Sequence, residues 1–120
     1  MTAINLNTGE FAWQEVYGDT PQLRTNPALA GIKLPEKLGG AGAQGGVIVT
    51  KGGLVFAGCG DTAVHAIDKA TGKDLWTFPL PRRTTATPAT YLAADGRQYV
   101  VIATGNGADA VLIAFTLSRP

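Results

Sequence analysis

Residues 3–13 (AINLNTGEFAW) recur as residues 66–76 (AIDKATGKDLW), with Ala, Ile, Thr, Gly and Trp matching in the same order and spacing. Such a repeat constrains the fold before any single propensity is weighed. Each copy is one supersecondary unit that cannot bury its apolar face alone and must stack on a neighbour. The copies stand 63 residues apart, more than the ~40–50 residues of a four-stranded propeller blade. The surplus falls on a polar insertion rich in Pro and Gly, residues 17–42. A connection that long is commonly functional or disordered.

The repeated unit reads as a hairpin. Ala63, Val64, His65, Ala66 and Ile67 make a β-type run, and Leu75, Trp76, Thr77 and Phe78 resume it after a turn. Within that turn the side chains of Asp68 and Thr71 can bond nearby backbone amides, and Gly72 can take a positive φ without steric cost. Gly9 holds the same place in the first copy. Trp13 and Trp76 land on the returning strands. An indole buries ~150–250 Å² and needs a partner for its N–H, so a ring at a fixed place in each repeat suits a wedge between successive sheets. Trp76 is expected to be largely buried beside Ala89 or Ala103. The alternative, ordinary core aromatics in unrelated hairpins, fits five identities at fixed spacing less well.

The same reasoning places nine strands: 2–6 and 11–16; 47–50, 54–58, 63–68 and 74–79; 87–92, 98–104 and 111–117. The chain divides into the outer hairpin of a partial blade (1–16), a long connecting loop (17–42), a complete blade (43–81) and a three-stranded last blade (82–120). The expected class is all-β. Composition agrees, with 45% hydrophobic residues, 16 glycines and 16% charged residues in a chain of 120. No apolar run approaches the ~18 residues that span a bilayer, and a net charge of +1 gives no pull toward nucleic acid. Cys59 is the single cysteine and His65 the single histidine, so neither an intrachain disulfide nor a zinc set can be built.

The pattern Ala-x-(Asp/Asn)-x-x-Thr-Gly-x-x-x-Trp resembles the tryptophan-docking motif of the pyrroloquinoline quinone (PQQ) dehydrogenases, which are eight-bladed β-propellers. Residues 45–56 (GGVIVTKGGLVF), 86–91 (ATPATY) and 96–103 (GRQYVVIA) look like the closing blades of the glucose- and alcohol-dehydrogenase-like quinoproteins. The resemblance implies a fragment of such a propeller, about two blades from the C-terminal part of a longer bacterial periplasmic enzyme. That parent would oxidise an alcohol or sugar with PQQ and calcium and pass electrons to a quinone-type acceptor. Its base and calcium ligands would lie in other blades, so no catalytic or metal residue is expected here. What it assigns to this region is part of the cofactor ring: Gly45, Gly46, Val47 and Ile48, at the start of the innermost strand, where glycine lets backbone approach a planar group. The plainer reading of Gly45-Gly46 is the end of a loop before a strand.

Other polar residues carry weaker signals. Asp61 reads as a turn residue, His65 as a packed or solvent-facing strand residue, Arg82-Arg83 as a solvated turn, and 105–109 as a hairpin connection, since a strand and not a helix follows it. Three functions therefore compete: the closing blades of a PQQ dehydrogenase, a non-catalytic propeller scaffold for protein–protein interaction, and a small β protein whose repeat builds a surface for self-association. Open blade edges lead to the expectation that the chain associates with itself.

Overall fold

The computed structural model describes residues 1–40 and 45–118. Among these the chain forms nine strands and no α-helix: β1 (Thr2–Ile4), β2 (Phe11–Gln14), β3 (Val47–Val49), β4 (Leu54–Ala57), β5 (Ala63–Asp68), β6 (Asp74–Pro79), β7 (Ala89–Leu92), β8 (Gln98–Thr104) and β9 (Val111–Phe115). They make three antiparallel sheets of two, four and three strands, β1-β2, β3-β4-β5-β6 and β7-β8-β9. Spatial order follows sequence order throughout, which is the meander of propeller blades. Every expected strand forms; 63–68, 74–79 and 98–104 keep the expected bounds, and the other six are one or two residues shorter. Single 3-10 turns occupy Pro21–Thr25, Pro27–Leu29 and Gly107–Asp109. The boundary expected at Gly42 and Ala43, and the final Arg119 and Pro120, lie outside the described residues.

The sequence repeat is a repeat of hydrogen bonds. In the second copy the Asp68 amide donates to Lys73 O (2.8 Å) and Gly72 N to Asp68 O (2.9 Å). In the first, Asn5 N donates to Glu10 O (2.8 Å) and Gly9 N to Asn5 O (2.7 Å). Ala3 pairs with Trp13 as Ala66 pairs with Trp76, and each hairpin shifts register one residue later. Gly9 and Gly72 both have positive φ, +75° and +76°. The Asp68 carboxylate accepts from Ala70 N, Thr71 N and Thr71 Oγ1 at 2.8, 2.8 and 3.1 Å.

Those donors, the Thr71 amide first, hold the Asp68 carboxyl below its usual value of 3.8. A carboxyl lowered in the folded state contributes stability that is complete above its unfolded pKa and is lost as pH falls through the folded one. The turn is therefore expected to stay closed at pH 4 and to loosen only in stronger acid. An NMR titration of Asp68 with its midpoint at or above 3.8 would refute this.

At β5 the middle sheet is covered on both sides, so five consecutive residues, Ala63 to Ile67 with His65 among them, are buried instead of every second one. One face packs Val55, Ala57 and Ile67 against Met1 and Tyr17. The other packs Val64 and Leu80 against Ile102, Ile113 and Phe115 of the third sheet. The two tryptophans part company here. Trp13 is half-buried, its Nε1–H donates to Lys69 O at 2.8 Å, and a Cβ on Gly72 would lie 2.5 Å from its ring. Trp76 is instead 41% exposed, stacked on Phe78 and edge-on to Phe115 of the third sheet. The expected burial of Trp76 is thus corrected. Its strand is the fourth of its sheet while the third sheet has three among the described residues, so among these no outer turn stands opposite the ring as the β5–β6 turn stands opposite Trp13.

Candidate functional site

Register sets which loops share an end of the sheets. Val47 pairs with Ala57, Ala57 with His65, and Ala63 with Pro79, so the start of β3, the 58–62 turn and the end of β6 lie together. Ala89 pairs with Val101 and Thr104 with Val111, which brings the start of β7 and the 105–110 connection to one end of the third sheet. The 80–88 link ties the two ends into one surface. Gly46 N donates to Thr87 Oγ1 (3.0 Å), Cys59 Sγ to Ala86 O (3.4 Å), Gly105 N to Arg83 O (3.2 Å), and the Thr104 hydroxyl to Arg82 O.

On this surface Gly45, Gly46 and Val47 are exposed and Ile48 is half-buried. A Cβ at Gly45 would fall 1.6 Å from Cys59 Sγ, and one at Gly46 2.5 Å from Thr87 Oγ1. The pair is glycine because neighbouring loops occupy the space of its missing side chains. What it leaves outside is bare backbone followed by the 43% exposed Val47, an edge that a flat aromatic group can approach. Burial pushes the Cys59 thiol up, against a smaller opposing pull from Arg83. Among the described residues no group of three or more His, Cys, Asp or Glu could hold a metal ion. An open groove of about 490 Å³ runs beside the edge, lined by Pro81, Arg82, Arg83, Thr85, Gly105 and Asn106. Arg82, 58% exposed in its side chain, pairs with Asp109 at 3.3 Å, in keeping with a solvated turn.

The 17–42 insertion closes on itself as far as it is described. Gly40 N donates to Tyr17 O (2.9 Å), Thr20 Oγ1 to Gly39 O (2.6 Å) and Leu38 N to Asp19 Oδ1 (3.2 Å). The neck of this loop lies on Gly60: a Cβ on Gly18 or Gly40 would come within 2.3 or 2.1 Å of Gly60 O. Tyr17 seals the contact. Burial raises its hydroxyl to about 12, while the Gly60 backbone pulls the other way. That pull falls short of a formed hydrogen bond, since the oxygen meets no partner in bonding geometry among the described residues.

Sequence reasoning underrated two residues here. His65 is 6% exposed, with Nε2 3.0 Å from Asp61 Oδ1 and Nδ1 3.0 Å from Asp74 Oδ1. The i,i+4 spacing of Asp61 and His65 across a strand start was the available signal; the link to Asp74 needed the hairpin register. Trp13, Trp76, Gly9, Gly72, Asp68 and Thr71 lie on the hairpin turns and returning strands, away from the Gly45–Gly46 surface.

Comparison with known proteins agrees with this architecture. Residues 1–100 match the family described as PQQ: Glucose/ethanol/alcohol dehydrogenase, beta-propeller domain. The quinate/shikimate dehydrogenase (quinone) of Acinetobacter baylyi is 36% identical over 107 residues, 88% of this chain and 13% of that protein. The glycerol dehydrogenase large subunit of Gluconobacter thailandicus is 40% identical over 108 residues, 88% of this chain and 14% of its own length. Lupanine 17-hydroxylase [cytochrome c] of a Pseudomonas species is 48% identical over 64 residues, 53% of this chain and 9% of its own. The chain thus spans about one-seventh or less of these curated relatives. With three meander sheets and a matching profile over most of its length, the chain belongs to the PQQ glucose/ethanol/alcohol dehydrogenase β-propeller family.

Proposed function

We propose that this chain forms blades of a PQQ-dependent dehydrogenase that oxidises an alcohol or sugar and passes the electrons to a quinone-type acceptor, in the bacterial periplasm. The observation that carries the reading is the exposed Gly45–Gly46 backbone at the start of β3, on the one end where the inter-sheet loops meet. Bound PQQ supplies a two-electron acceptor for the substrate's C–H and O–H. Gly45 and Gly46 give it backbone to lie against, Val47 and Ile48 exclude water along its rim, and Cys59 and Thr87 hold that edge from behind. Calcium belongs in this proposal to other blades. The scaffold alternative rests on the hairpin repeat alone, which suits either kind of propeller.

The test is a chimera in which residues 1–100, the segment that matches the family, replace the corresponding segment of the Gluconobacter thailandicus glycerol dehydrogenase large subunit. The reading expects a folded chimera that retains PQQ, seen by absorbance, and loses it on Val47→Glu. A folded chimera without PQQ would favour the scaffold. The 120-residue chain by itself is expected to give no PQQ-dependent dye reduction with glucose or ethanol.

We infer also that the isolated chain self-associates. Strand β9 is paired on one side, Leu112 is 70% exposed, and Trp76 and Phe78 are 41% and 42% exposed. An open strand edge beside apolar surface recruits a partner strand. Light scattering at tens of micromolar should give a mass of at least two chains, and a monodisperse monomer would refute it.

A further inference from the structure

We propose that His65 is the positioning residue that fixes the 58–62 turn, and with it the Gly45 edge. Its functional meaning rests on the cofactor reading above; the positioning itself does not. Four residues from three elements converge on the ring. Nε2 reaches Asp61 in the turn, Nδ1 reaches Asp74 at the start of β6 and lies 3.3 Å from Thr77 Oγ1, and Tyr17 at the neck of the insertion meets the ring edge-on with centroids 5.3 Å apart. Lys37 joins from the insertion, 3.3 Å from the second oxygen of Asp74.

The insertion neck packs on Gly60 and Leu80 N donates to Thr62 O (3.0 Å) at the end of the turn, but its other hydrogen bonds are few. Beyond the strand ladders, no backbone amide or carbonyl from Gly58 to Asp61 is bonded to backbone elsewhere among the described residues. Its side-chain ties there are Asp61 to His65 and Cys59 to Ala86 O, and the second is a long thiol contact of 3.4 Å. A carboxylate bonded to a nearly buried ring nitrogen is the stronger of the two. Cys59 Sγ stands where a Gly45 side chain would be, so any outward movement of the turn withdraws the support behind that glycine. The imidazole thus carries the position of the insertion neck and of β6 to the edge proposed to face the cofactor.

Cys59 is the single thiol of the chain and is 4% exposed, so its alkylation by iodoacetamide at fixed pH reads the opening of this turn without any cofactor. Asparagine places its amide near the Nδ1 position and glutamine near the Nε2 position of a histidine. His65→Asn is therefore expected to keep the Asp74 contact, lose Asp61 and speed alkylation by about tenfold, the scale of one lost hydrogen bond to a charged group. His65→Gln should restore the slow rate. Asp61→Ala should match His65→Asn, and the double variant should be no faster than either single one, because both remove the same interaction. Equal rates for the Asn and Gln variants, a wild-type rate in Asp61→Ala, or additive acceleration in the double variant would each overturn the proposal. If His65→Asn fails to fold, the comparison of Asp61→Ala with His65→Gln still decides it. A chimera that binds no PQQ would remove the cofactor reading and leave these rates as they are.

Discussion

Alanine at position 18 is expected to lower the stability of the chain by about 3 kcal/mol, the sum of two costs that act at one atom. Gly18 has φ +75°, where an L side chain meets its own carbonyl, an effect of roughly 1–2 kcal/mol. The added Cβ would also stand 2.3 Å from Gly60 O and 2.5 Å from Gly60 Cα. Those are backbone atoms, so no rotamer change relieves the overlap, and the insertion neck must lift off the 58–62 turn. Gly31 supplies the control, because its φ is +81° and nothing lies within 4 Å of the Cβ position. Gly31→Ala should therefore cost only the conformational share, about 1 kcal/mol. Urea unfolding measures both. Gly18→Ala should also speed hydrogen exchange at the Gly40 amide, which donates across the neck to Tyr17 O. Equal midpoints for the two variants would mean that the neck does not rest on Gly60 as described.

The contrast between these glycines shows where sequence reading stops. Gly72 was legible, because Thr-Gly after Asp68 is local turn chemistry and the same turn occurs at Gly9. The strands were legible for the same reason: β-type runs bounded by turn residues fix their own extent to within a residue or two. Gly18, Gly40 and Gly60 gave no local signal, since their need is a mutual crossing that exists only once the insertion has folded back over the turn. Gly45 and Gly46 stood between. Their bare backbone at a strand start was readable, whereas the atoms that require it come from Cys59 and from Thr87, the latter 41 residues further on. His65 alternates with apolar neighbours like any half-buried strand residue, and nothing adjacent announces that Asp74 will arrive on its second nitrogen. Trp76 was misplaced because burial of an outer-strand ring is decided by the neighbouring sheet.

That last point makes the two tryptophans unequal, although the sequence presents them as copies. Trp13→Ala is expected to cost about 3 kcal/mol, the low end for a large aromatic because the ring is half-buried. The loss has two parts. The ring covers Gly72 and lines the cavity of about 330 Å³ between the first hairpin and the middle sheet, and its N–H satisfies Lys69 O. Removing it loosens the β1-β2 hairpin, which is also tied to the middle sheet by Met1 against the Val55, Ala57 and Ile67 cluster. Trp76→Ala removes a 41% exposed ring that has no hydrogen-bond partner for its N–H among the described residues and contacts Phe78 and Phe115. It should cost about 2 kcal/mol, set by apolar area alone. A conservative pair separates packing from bonding: Trp13→Phe should recover most of the packing and leave a deficit of about 1 kcal/mol from the unpaired carbonyl, and Trp76→Phe should be nearly neutral. Urea midpoints at matched concentration would show the ranking. Trp76→Ala proving more damaging than Trp13→Ala would mean that its ring finds a docking turn after all, supplied by another chain.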